Sequence, residues 1–114
     1  MQRSPNITFH GVDHSEALEQ HIRDRITKLE EFHPRITGCS VSVEKPHKHH
    51  VQGNQFNVRL VVNIPGSQVV VNHDHSEDIQ IALRDAFDAA GRRIEDQIRR
   101  QRGDIKHHDQ EPPG

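Results

Sequence analysis

The 114-residue chain has no tryptophan, no tyrosine and one cysteine. A lone cysteine excludes an internal disulfide. Cys39 sits in the alternating stretch TGCSVSV. It therefore reads as a small buried strand residue rather than a catalytic thiol. No apolar run approaches the roughly 20 residues of a membrane span, so no membrane partner is expected. The opening MQRSPNITFHG lacks the apolar core of a signal peptide, and a cytoplasmic setting is the expectation. Motifs of catalysis are missing too: G-x-S-x-G, a phosphate-binding glycine loop, H-E-x-x-H and paired cysteines. No enzyme, cofactor, metal or small-molecule substrate is expected. Apolar residues make up 31% and mean hydropathy is −0.89. That is lean for a globular chain, but without the charge excess of a disordered one. The length suits one domain with one modest core.

What the chain does have is histidine and an uneven distribution of charge. There are 11 histidines and a formal charge of −2. Residues 92–106 hold six basic groups against three acidic ones. That stretch is +3 and the remainder −5, so a molecule with no overall cationic signature is polarised toward its C-terminal part.

Periodicity gives the elements. NITFHG reads as a first strand closed by Gly11. Leu18, Ile22, Ile26 and Leu29 recur at helical spacing, with Phe32 beside them. Ser15 as N-cap, or an Asp13/Glu16 capping box, opens this helix, and Pro34 ends it. ITGCSVSVEK and QFNVRLVVNI alternate apolar and polar positions, as strands with one buried face do. Pro65, Gly66 and Ser67 form a tight connection to a further strand, QVVVNH. Ile79, Leu83, Ala86, Phe87, Ala90, Ile94 and Ile98 mark a long second helix, with Ser76 or Asp74 as its cap. Through Arg102 it would run 27 residues from Ser76. Gly91 costs about 1 kcal/mol in that helix relative to alanine. The expected fold is α+β, a single β-α-β-β-β-α domain over residues 1–103. A four-stranded mixed sheet carries both helices on one face. Residues 104–114 form a polar tail, expected to be disordered.

In order along the chain, SEAL, KLEEF, SVSVEK, VNIPG, HSED and DAFDAAGRRIEDQIRRQRGDIK resemble the ribosome hibernation promoting factor family. That family is also called ribosome-associated inhibitor or sigma-54 modulation protein. The resemblance spans about Ile7 to Lys106. It implies a fold like that of double-stranded-RNA-binding domains. It implies a ribosome-associated translation inhibitor that binds the small ribosomal subunit and its rRNA, and blocks messenger and transfer RNA under stress. It further implies a short form without the C-terminal dimerisation domain of long members. RNA contacts in the family come mainly from basic residues on the two helices, positions matched here by Arg25, Lys28, Arg92 and Arg93. Ala89 and Gln80 depart from the lysine and tyrosine that relatives often carry.

The residues bear on this independently. At 100° per residue, Arg25 and Lys28 share one flank of the first helix with His21. On the second, Arg93 and Arg100 share a flank, and Arg92 and Arg99 form a parallel row. Such rows can follow a phosphate backbone, because a guanidinium pairs bidentately with phosphate. Arginines near a helix C-terminus also favour its dipole and solubility with no partner at all. The competing reading is a protein-interaction module using the sheet face or edge.

His47, His49 and His50 cluster in one loop, and His73 and His75 flank Asp74. Zinc needs three or four ligands at fixed spacing with outer support, and this pattern supplies neither. Lys45, Lys48 and partly charged imidazoles can instead approach phosphate or stack on bases. A plain solvated loop is the alternative. Full protonation of the histidines would lift the formal charge from −2 to +9, so RNA affinity is expected to rise as pH falls. Equal binding isotherms at pH 7.5 and 6.0, at fixed salt, would discard that idea.

Overall fold

The computed structural model describes residues 4–46 and 55–103. Six elements follow in the order β1 (Asn6–His10), α1 (Glu16–Phe32), β2 (Gly38–Glu44), β3 (Phe56–Ile64), β4 (Ser67–Ser76) and α2 (Ile79–Gln101). The strands lie in the order β1-β2-β3-β4, with β1 parallel to β2 and the others antiparallel. A parallel neighbour needs a crossover, and α1 supplies it. This is the expected mixed sheet and element order.

Strand alternation sets the core. Val41 and Val43 of β2, Val58, Leu60 and Val62 of β3, and Val69 and Val71 of β4 are buried. The register aligns Val41, Leu60 and Val71 in one row across three strands. Ser42, Arg59 and Asn72 occupy the next row on the opposite face. There Thr8 and Ser42 join by hydroxyls 3.0 Å apart. Ile22, Ile26 and Leu29 of α1 and Leu83, Phe87 and Ile94 of α2 enter the same core. Burying each such side chain contributes about 1.5–3 kcal/mol. Cys39 also belongs to that core. Burial, and secondarily the charge of Glu30, pushes its thiol up to about 12. It is a packing residue, not a nucleophile.

The helix ends follow local chemistry. Ser15 caps α1 by accepting from Leu18 N–H at 3.2 Å. The helix stops at Phe32, and His33 takes an extended φ of −134° before Pro34. The start of α2 differs from expectation. Its N-cap is Asp78, whose Oδ1 accepts from Gln80 and Ile81 N–H at 2.9 and 3.3 Å. Ser76 belongs to β4, paired with Phe56. A shift in register between Phe56 and Val58 lets β4 run on. His75 absorbs it with φ of 64°, an unusual value to which histidine is better suited than most residues. Asn57 Oδ1 holds the His75 N–H at 3.0 Å. At the other end of β3, Pro65 and Gly66 make a two-residue turn. Gly66 has φ of 79°, and Pro followed by such a glycine is the type II pattern.

Candidate nucleic-acid interface

The two helices meet beside Gly91 of α2. A Cβ at Gly91 would lie 3.6 Å from His33 Nε2 and 4.0 Å from Leu29 Cδ1. Position 91 of α2 thus lies directly against the end of α1. Above this contact opens a cleft of about 420 Å3. From α1 come Arg25, Lys28, Leu29 and Phe32; from α2 come Phe87, Asp88, Arg92 and Glu95. The spacings 88, 92 and 95 put the α2 side chains on one stripe, and 25, 28 and 32 do the same on α1. Leu29 and Phe87 give the cleft an apolar floor.

Three of the expected contact residues, Arg25, Lys28 and Arg92, therefore stand around one opening. Among the described residues no carboxylate lies within ion-pair distance of any of them. Arg25 Nε donates to His21 Nε2 at 3.2 Å, which fixes its stem along α1. Phe32 is 78% exposed at the rim. The helical spacing placed it beside the buried stripe; the chain's turn at His33 and Pro34 leaves its ring outside.

Arg93 and Arg100 occupy a different place, as their shared flank foretells. They line a second groove, between α2 and the edge strand β4, with Gln68, Asp96 and Gln97. Arg93 donates to the Val70 carbonyl. Gln101 Nε2 donates to the Pro65 carbonyl at 2.8 Å. These bonds fasten α2 to β4 and to the hairpin. Arg99 faces Asp96 at 3.4 Å in a pair whose side chains are both more than half exposed, and such a pair contributes little. Lys45 follows β2, where its N–H donates to the His10 carbonyl at 2.9 Å, and lines neither groove. Lys48 lies outside the described residues, as do His47, His49 and His50. His73 Nε2 approaches Asp85 of α2 at 3.9 Å.

The family described as sigma 54 modulation protein / S30EA ribosomal protein matches residues 6–102. The chain belongs to that family. A relative named ribosome hibernation promoting factor, from Azotobacter vinelandii, is 31% identical over 102 residues. The match covers 86% of this chain and 89% of the relative. The N-terminal domain of Protein Y from Thermus thermophilus has the same fold. Its TM-score is 0.66 at 15% identity, over 82% of this chain and 96% of that one. A ribosomal subunit interface protein from Coxiella burnetii superposes with a TM-score of 0.58 at 18% identity, over 87% and 97% of the two chains. The family's match begins at the first residue of β1 and ends just beyond α2. All six elements, and both grooves, lie within it.

Sequence reasoning missed Phe32, Gly91, Asp88 and Glu95 as cleft residues. The signal for Gly91 was available: a glycine inside a helical pattern is unfavourable by about 1 kcal/mol relative to alanine and so stands out.

Proposed function

We propose that this protein is a non-enzymatic, ribosome-associated hibernation factor of the cytoplasm. It binds small-subunit rRNA through its two helices and excludes messenger and transfer RNA by occupancy under stress. The observation that carries this reading is the convergence of Arg25, Lys28 and Arg92 on one cleft, free of carboxylate pairing among the described residues. It occurs in a chain whose family and relative are named for the ribosome. Side chains on rigid helices hold fixed spacings, which suits reading an RNA by its shape and phosphates.

The contact residues divide by what each is free to do. Arg25, Lys28 and Arg92 carry the principal phosphate contacts. Arg100 extends the surface along α2, and Arg99 exchanges its weak bond to Asp96 for a phosphate at little cost. Arg93 contributes the part of its guanidinium that the Val70 carbonyl does not use. Lys45 and Lys48 act as secondary contacts.

Sucrose-gradient co-sedimentation with purified small subunits tests the reading. Wild type is expected to travel with the subunits, and an Arg25/Lys28/Arg92→Ala variant to stay near the top. Wild type remaining at the top defeats the ribosome reading. A variant that still co-sediments normally defeats the residue assignment. Affinity should also fall steeply with salt, because neutralised phosphates release counterions. A nearly salt-independent affinity would favour the protein-interaction module.

A further inference from the structure

We infer that the cleft between α1 and α2 seats a single unpaired RNA base, stacked on Phe32. This inference rests on the ribosome reading and specifies what its central site takes. Phosphate contacts alone need only cations on an open surface. The cleft offers more than that. It combines an aromatic ring at the rim, an apolar floor of Leu29 and Phe87, and three cations around the opening. Aromatic faces set among basic side chains are the equipment by which proteins hold single-stranded nucleotides. Sequence-specific RNA recognition likewise targets unstacked bases.

Three further features favour a base over a bare phosphate. Phe32 is 78% exposed, in a chain with four phenylalanines and no other aromatic side chain of the phenyl or indole type. Of the rings that line the cleft, Phe87 and His33 are buried and Phe32 is exposed. Asp88 and Glu95 also line the cleft. They repel a phosphate inside it, but accept from the N–H groups on a base edge. Their presence would be a defect in a pure phosphate site and is useful in a site where phosphate stays at the rim. Finally, the opening of about 420 Å3 falls in the size range of small-ligand sites. Gly91 lines it as well. Arg25, Lys28 and Arg92 then hold the phosphates on either side of the extruded nucleotide.

The test compares two stem-loop RNAs, one fully paired and one with a single bulged adenosine, alongside purified small subunits. Wild type is expected to bind the bulged stem about tenfold more tightly, within the range of one base–aromatic stack. Phe32→Ala should abolish that preference while leaving the affinity for the paired stem unchanged, and Phe32→Trp should restore it. The exposed position means that neither substitution disturbs the core. Equal or undetectable affinity of wild type for the two stems overturns the inference. So does a Phe32→Ala variant that keeps the preference. If Phe32→Ala weakens subunit binding with no change on the stems, the ring contacts ribosomal protein instead, and the inference is again overturned. Failure of the ribosome reading has a separate signature: wild type does not co-sediment with subunits.

Discussion

Two arginines adjacent in sequence, Arg92 and Arg93, look alike on paper and line different grooves. Arg92 stands at the inter-helix cleft with no carboxylate partner among the described residues. Arg93 reaches the Val70 carbonyl of β4 in the second groove. The first groove has an apolar floor and a free aromatic ring; the second is lined by amides, charge and strand backbone. A cation already bonded to the fold supports the scaffold, and one without a partner is available for recognition. Residue type alone does not distinguish the two roles.

The contrast can be broken at its base. Ile94, fully buried at 0% exposure, anchors the helix that carries both arginines. Ile94→Ala should cost about 2–5 kcal/mol by urea denaturation and damage both grooves together. A loss below about 1 kcal/mol would mean that α2 is only loosely docked. The next experiment separates the grooves. Arg92→Ala should reduce the slope of log affinity against log salt by about one, with stability held within about 0.5 kcal/mol. Arg93→Ala should cost about 1 kcal/mol of stability through the lost bond to Val70. Identical behaviour of the two variants would erase the distinction.

Smaller effects sharpen the picture. Gly91→Ala should raise stability by up to about 1 kcal/mol, because the new Cβ would make ordinary contacts at 3.6 and 4.0 Å. A lower thermal midpoint would show that the helices cannot accept a methyl group between them. The smallest expected effect lies at the far end of α1. Hydrogen bonds from His14 and then Arg23 lower the Glu19 carboxyl below its usual 4.5. Its contribution is present above pH 4.5 and is lost as pH falls through the lowered value. An NMR titration should place Glu19 below 4.5 in wild type and return it upward in His14→Ala; no change would remove His14 as the main cause.

Much of the fold was legible because it depends on local periodicity. Alternation in SVSV and VRLVV gave the buried face of the sheet, and helical spacing gave Ile22, Ile26, Leu83 and Ile94. Ser15 and Pro34 marked their helix ends correctly. The extent of β4 was less legible. Its continuation to Ser76 depends on Asn57, 18 residues away, holding the His75 N–H. A capping serine in sequence became a strand residue in space. The site was legible to the level of helix flanks: Arg25 with Lys28, and Arg93 with Arg100. Which cation faces a cleft and which meets a carbonyl depends on the neighbouring element, and helical spacing does not contain that. Phe32 went astray for the same reason, since continuing the stripe by one turn assumes the helix still has a core beneath it.

The Arg93 and Gln101 bonds have a consequence beyond fastening α2. β4 is an outermost strand, and unsatisfied backbone along such a strand invites a neighbouring chain to zip onto it. Here the Val70 acceptor on that strand and the Pro65 acceptor at its hairpin are already occupied by helix side chains. A strand adding along this stretch of β4 would first have to displace the Arg93 side chain.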